Sequence, residues 1–130
     1  DYLDELETQL PNGSLVLHNV RRSFDGASRN HAAQAASGEL LVFLDDDNVL
    51  KANMVERMVQ ALAFSGLDAL SCFLDEFTGD ELPQVAVSRW MPLGNAPDVG
   101  LYINLYGDTA MIIRAVAFAQ SGQFSAHHRL

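Results

Sequence analysis

The chain has little that would cross-link it or attract it to polyanions. Cys72 is the one cysteine among its 130 residues, which excludes an internal disulfide and favours a reducing compartment. Lysine and arginine together number 8 against 17 aspartates and glutamates, so the formal net charge is −9. Because a charge of that size repels other polyanions at long range, we do not expect nucleic acid to be a partner.

Long hydrophobic runs are also absent. No segment approaches the roughly 20 consecutive apolar residues of a membrane span, and the N-terminus lacks the pattern of a signal peptide. These absences predict a cytoplasmic chain without a membrane span. Because the sequence begins at Asp1 without a methionine, membrane association through other parts of a parent protein stays open. With 48% hydrophobic residues, we expect a single domain over residues 1–130 with a buried core.

The apolar periodicity predicts alternating helices and strands. The segment LLVFL, at 40–44, is apolar on both faces of a pleated strand, which is typical of a central parallel strand covered by helices. The whole order favours an α/β domain whose largely parallel sheet is flanked by helices. The predicted helices are 2–10, 25–38, 51–64 and 116–120, and the predicted strands are 14–18, 40–44, 67–74, an edge strand at 85–90, and 109–114.

Three aspartates, Asp45, Asp46 and Asp47, directly follow the predicted strand 40–44. If the chain stays extended there, Asp45 and Asp47 point to one side and Asp46 to the other. Their hard oxygen atoms suit Mg²⁺ or Mn²⁺, an ion that takes one or two protein carboxylates and completes its shell with water and substrate phosphates. Ligands of open α/β sheets bind at the carboxyl ends of strands, so the run predicts a metal and phosphate site. The alternative is a solvated acidic turn before the next helix.

The stretch GASRNHAAQAASGELLVFLDDDNVL, at 26–50, resembles the signature of family 2 glycosyltransferases of the GT-A fold. It has a glycine, an Arg-Asn pair opening a helix, a Gly-Glu, an apolar strand and an acidic DXD motif. The stretch 106–124 resembles that family's acceptor-side segment, in which a strand ending in arginine leads through a short helix to a Gly-x-Phe corner. The resemblance implies a GT-A-like, Rossmann-like sheet and a partial domain without the N-terminal nucleotide-binding strands.

On the donor side, the resemblance implies that a nucleotide sugar binds with a divalent metal, Mn²⁺ or Mg²⁺. Asp47 would bind the ion. Asp45 and Asp46 would hold the ribose or the sugar and support the ion. Arg29 and Asn30 would lie beside the nucleotide and its phosphates. Arg29 also stands in the first turn of a predicted helix, where backbone N–H groups favour a phosphate.

On the acceptor side, the resemblance implies that Asp108 lines the acceptor pocket, while capping of the turn after Gly107 is the alternative role. The acceptor can be a carbohydrate, a lipid or a protein. Transfer with inversion needs a carboxylate that deprotonates the acceptor hydroxyl. The resemblance places that general base beyond Leu130, so we expect this chain alone to be inactive.

Two other functions are compatible with the acidic run. A nucleotidyltransferase also uses carboxylate-bound Mg²⁺ at the ends of parallel strands, although the sequence lacks a glycine-rich phosphate loop with a lysine. A non-catalytic module that binds a nucleotide or a carbohydrate is the second alternative, favoured by the absent flanking segments.

Overall fold

The chain divides into two compact units. The computed structural model describes residues 5, 8–11, 14–17, 24–79, 86–94, 97–100, 102–108 and 110–125. The first unit consists of Asp1–Ala36 with Gln123–Leu130, and the second of Ser37–Gly122. The single domain expected over 1–130 stays a prediction. Within the described ranges, no helix is both long enough and apolar enough to span a bilayer.

The first unit contains one long described helix, α1, at Asp25–Ala35. Phe24 precedes it in an extended conformation and offers no side-chain cap. Asp25 lies in the first turn, where a negative charge interacts favourably with the positive end of the helix dipole. The helix ends when Ala36 returns to an extended conformation, two residues before Gly38.

The two elements predicted before α1 have different outcomes. Of the predicted helix 2–10, Glu5, Thr8 and Gln9 are helical and most other positions lie outside the described residues. The predicted strand 14–18 is wrong over 14–17, which form no strand, and His18 lies outside the described residues. Leu15 is 63% exposed, so this apolar run does not lie in a sheet core.

The second unit is built on a three-stranded sheet of β1 (Leu40–Phe43), β2 (Ala69–Ser71) and β5 (Met111–Arg114) in the order β1-β5-β2. Strand β5 is antiparallel to both neighbours. The prediction of a mostly parallel sheet is therefore wrong for the strand pairs described. β1 and β2 do run in the same direction, but β5 lies between them and takes their hydrogen bonds. An apolar run alone does not distinguish a parallel central strand from an antiparallel one.

Helices cover both faces of this sheet. Helix α2 (Met54–Ser65) packs on one face, where Leu62 and Ile112 are fully buried and Met58 nearly so. The half-buried residues around this cluster are Leu40, Val42, Met54, Leu70 and Cys72. On the other face the ring of Phe43 lies 5.3 Å from that of Phe118, centroid to centroid. Phe118 belongs to a shorter helix that directly follows β5.

The remaining elements of the second unit are short. Strands β3 (Leu74–Glu76) and β4 (Ser88–Trp90) form a separate antiparallel pair. The predicted strand 67–74 is thus interrupted, because the chain leaves the first sheet after β2 and joins the second at β3. Val85, the first residue of the predicted edge strand, lies outside the described residues. Among the described residues of this unit, two further helices are α3 (Pro97–Gly100) and α4 (Ala115–Gln120).

Candidate functional site

The acidic run lies at one edge of the three-stranded sheet. Since β1 and β2 are both antiparallel to β5, their carboxyl ends and the amino end of β5 share this edge. Phe43, Met111 and Ser71 form its last paired row. Asp45 follows β1 closely, and Asp108 shortly precedes β5. The structure therefore brings the acidic run and Asp108 to the same edge of the sheet.

The acidic run itself is a turn. The N–H group of Asn48 donates to the carbonyl oxygen of Asp45 at 3.1 Å, and Asp46 and Asp47 form the corner between them. The alternation of side-chain direction predicted for an extended chain is wrong, because the backbone reverses within these four residues. Asp45 is half-buried, while Asp46 and Asp47 are exposed. The Nδ2 atom of Asn48 donates to Oδ1 of Asp47 at 3.2 Å, which orients that carboxylate.

Gly107 holds the segment before β5 close to this edge. Its φ is +113°, a value that favours glycine, and an added Cβ would lie 2.9 Å from Cβ of Ser71 and 3.2 Å from Cγ of Pro92. The Nδ2 atom of Asn104 donates to the carbonyl oxygen of Gly107 at 2.9 Å. This close approach fixes the position of the backbone at the residue before Asp108.

The thiol of Cys72 lies just below the same edge. It packs against the core cluster and donates to the carbonyl oxygen of Ala110 at 3.4 Å. Burial raises the pKa of the Cys72 thiol, and the negative charge of Asp108 raises it further. A protonated, half-buried thiol fits the packing role that free cysteines usually have.

Sequence reasoning missed a charge cluster between the acidic turn and the second sheet. Oδ2 of Asp75 accepts from Nζ of Lys51 at 2.5 Å, and its Oδ1 accepts from Nε of Arg89 at 2.5 Å. Asp75 and Arg89 are directly opposite on β3 and β4, so their pairing depends on a hairpin register that the sequence leaves open. The available signal was Lys51, the one lysine of the chain, four positions after Asp47.

The chemistry of the acidic turn fits a divalent cation in one respect. Carboxylate oxygens are the ligands that Mg²⁺ and Mn²⁺ prefer, and such an ion needs only one or two protein carboxylates when phosphates complete its shell. No group of three or more His, Cys, Asp or Glu side chains suited to a metal occurs among the described residues.

The other two predicted site residues, Arg29 and Asn30, lie in the first unit, on α1. The guanidinium carbon of Arg29 is 5.7 Å from the centre of the Phe124 ring. The amide of Asn30 is hydrogen-bonded twice to the main chain of Phe124, with Nδ2 donating to its carbonyl oxygen at 2.9 Å and Oδ1 accepting from its N–H at 3.0 Å. Both predicted residues thus contact Phe124, which lies 94 positions after Asn30 in the sequence.

Comparison with known proteins gives one result for the family. The model of the family described as Glycosyl transferase family 2 matches residues 1–119, which include Arg29, Asn30, the acidic turn and Asp108. The corner that contains Phe124 lies after the matched residues. Neither the curated proteins nor the solved structures give a significant match to the chain. Because the family match extends over nearly the whole chain, this protein belongs to glycosyl transferase family 2.

Proposed function

We propose that the chain binds a nucleotide-sugar donor through a divalent metal at the acidic turn and takes part in the transfer of the sugar to an acceptor. The observation that carries this proposal is the position of three carboxylates shortly after β1, at the edge of the sheet where Asp108 also lies. Membership of the family supports glycosyl transfer in general. The position at the carboxyl end of a strand supports a ligand site there.

The proposed roles on the donor side are those that the family resemblance implies, and the chemistry of the side chains supports them. Asp47, exposed and oriented by Asn48, binds Mn²⁺ or Mg²⁺, and Asp45 is the second carboxylate for the ion. Asp45 and Asp46 also hold the ribose or the sugar. When bound, the ion neutralises charge on the leaving diphosphate. Arg29 binds the nucleotide phosphates, because a guanidinium matches phosphate oxygens in charge and geometry.

Asp108 is our candidate for the acceptor side. The residue is exposed and lies at the same edge as the acidic turn, and in this proposal its carboxylate accepts a hydrogen bond from an acceptor hydroxyl. An inverting outcome, the class of acceptor and the cytoplasmic location stay predictions. Transfer of sugar also distinguishes this proposal from its alternatives. A non-catalytic module binds a nucleotide sugar without consuming it, and a nucleotidyltransferase releases pyrophosphate from a nucleoside triphosphate.

The proposal predicts that Asp47→Ala removes metal-dependent binding of the nucleotide diphosphate. We expect the affinity for the tightest of UDP, GDP, CDP and dTDP, measured by calorimetry with Mn²⁺, to fall at least about tenfold, or about 1.4 kcal/mol. Asp68→Ala is the matched control, because it removes the same charge at the opposite edge of the sheet, before β2. Equal affinities for Asp47→Ala and the unmodified protein would contradict the proposal.

A further inference from the structure

The corner at Phe124 is held to α1 by side-chain contacts that end on main-chain atoms. Asn30 forms two hydrogen bonds to the N–H and the carbonyl oxygen of Phe124. A paired donor and acceptor on one residue is the pattern that a neighbouring strand makes in an antiparallel sheet. The amide is partly buried there. Both Nδ2 and Oδ1 of Asn30 are therefore already hydrogen-bonded within the protein.

The same face of α1 is shaped to receive this segment. Gly26 lies four residues before Asn30, one turn away on the same side of the helix. A Cβ at Gly26 would overlap the carbonyl oxygen of Ser125 and lie 3.1 Å from Cβ of Phe124. Glycine is thus required for close packing here, and its helical backbone shows that the requirement is space rather than conformation.

The segment is also conformationally constrained next to Phe124. Gln123 has a φ of +66°, the one positive value at a non-glycine residue among those described. Such a conformation is unfavourable for a residue with a Cβ and persists where surrounding contacts fix the chain. The two hydrogen bonds between the side-chain amide of Asn30 and the main chain of Phe124 provide that fixation at the following residue.

The side chain of Phe124 also contacts Arg29, the residue proposed to bind the nucleotide phosphates. Its ring lies 5.7 Å from the guanidinium carbon of Arg29, a distance at which the ring face attracts a cation. Arg29 directly precedes Asn30 on the helix. Phe124 therefore contacts both residues: its main chain is hydrogen-bonded to Asn30, and its ring lies against the guanidinium group of Arg29.

We infer that Asn30 is a positioning residue, which fixes Phe124 on α1 so that the Phe124 ring orients Arg29 for the donor phosphates. The role of Arg29 in this inference rests on the proposed function, whereas the attachment of Phe124 to Asn30 does not. A direct contact of Asn30 with the nucleotide, as the family resemblance implies, stays a prediction and is the competing role.

Hydrogen exchange tests the attachment without any ligand. In Asn30→Ala the exchange of the Phe124 amide should accelerate about tenfold or more, because its acceptor is lost. Alanine is the stronger helix former, so α1 itself is not weakened. Asn30→Asp keeps an acceptor for that amide but faces the Phe124 carbonyl with an oxygen, and should give an intermediate rate. The control is Gln34→Ala, because Gln34 is an exposed residue of the same helix. In this variant the Phe124 amide should exchange at the same rate as in the unmodified protein.

Binding of the tightest of the four nucleoside diphosphates, with Mn²⁺, tests the effect on Arg29. Phe124→Leu should weaken binding about two- to fivefold, since it removes the ring and keeps both main-chain bonds, while Phe124→Tyr should bind like the unmodified protein. Asn30→Ala should also weaken binding in the unmodified background. When Arg29 is already replaced by alanine, Asn30→Ala should have no further effect.

Three results overturn the inference in different ways. Unchanged exchange of the Phe124 amide in Asn30→Ala shows that Asn30 does not hold the corner. An equal loss of affinity from Asn30→Ala with and without Arg29 shows that Asn30 contacts the nucleotide itself. Unchanged affinity in Arg29→Ala removes the phosphate role given to Arg29 under the proposed function, and with it the orienting role of Phe124. The exchange rates still decide the attachment in that case.

Discussion

Asp75, in the second unit, forms ion pairs with two basic side chains. The hydrogen bond from Arg89, followed by that from Lys51, holds the pKa of the Asp75 carboxyl well below its usual range. Lys51 follows the acidic turn, so this pairing ties the loop after the turn to β3. All three side chains are partly solvent-exposed, and salt therefore screens their attraction.

This pairing predicts a pH dependence of stability. The pKa of Asp75 is lower in the folded protein than in the unfolded chain, so its stabilisation is complete above the usual carboxyl pKa of about 4 and is lost as the pH falls below it. At pH 7 the urea midpoint of Asp75→Asn should lie below that of the unmodified protein, and the gap should narrow steadily below about pH 4.

The control for Asp75→Asn is Asp68→Asn. The Asp68 carboxylate is highly exposed and lies 3.9 Å from Nε of Arg114, so its loss should change the midpoint little at any pH. A gap between Asp75→Asn and the unmodified protein that stays constant down to pH 2 would contradict the assignment to ionised Asp75.

Among the elements, α2 supplies two of the three buried residues in the core cluster, Met58 and Leu62. Its buried stripe faces β1, β5 and β2 together, and it ends where Gly66 adopts a left-handed conformation with φ of +67°. Since β1 carries the acidic turn and β5 follows Asp108, the packing of α2 against both strands supports the strand pairing that brings these two segments to one edge. A loss of packing here should therefore affect both stability and the site.

Leu62→Ala measures that contribution. Leu62 is 1% exposed, and removing its side chain should lower the free energy of unfolding by about 2–5 kcal/mol, as found for buried leucines that leave a cavity. Phe64→Ala, on the same helix but 96% exposed, should change it by no more than about 0.5 kcal/mol. The measurement is urea unfolding followed by circular dichroism. Equal losses in the two variants would show that α2 does not pack as described.

For the whole molecule, charge determines how an anionic donor can bind. The chain carries a net charge of −9 and its proposed donor carries a negative diphosphate, so the two repel each other at long range. A divalent cation at the acidic turn reverses the local sign. Binding of the metal and of the diphosphate should therefore be mutually dependent.

Thermal unfolding reports this dependence. A ligand that binds the folded state raises the unfolding temperature, and two ligands that assist each other raise it by more than the sum of their separate effects. We expect that excess for Mn²⁺ with the best nucleoside diphosphate, and its loss on adding EDTA. The corresponding nucleoside, which has no phosphate to share the ion, is the control. Strictly additive shifts would contradict a bridging metal.

The sequence predicted the elements of the second unit better than their arrangement. Four elements lie within or close to their predicted ranges, because each has a local apolar pattern or a glycine stop. They are helix α2, strand β1, strand β5 and the short helix that follows β5. The apolar run at 14–17 has a similar local pattern but forms no strand. A run of apolar residues becomes a strand only when a neighbouring strand supplies hydrogen bonds, and that partner is not encoded in the run.

For the site, the sequence by itself determined which residues carry charge, where the acidic run follows a strand, and the family to which the chain belongs. The tertiary structure alone decided that β5 separates β1 from β2, that Asp108 shares an edge with the acidic turn, and that Asn30 is bonded to Phe124. The physical reason is distance along the chain. Local patterns follow from backbone geometry and solvation within a few residues, whereas these contacts join segments tens of residues apart and depend on how the whole core packs.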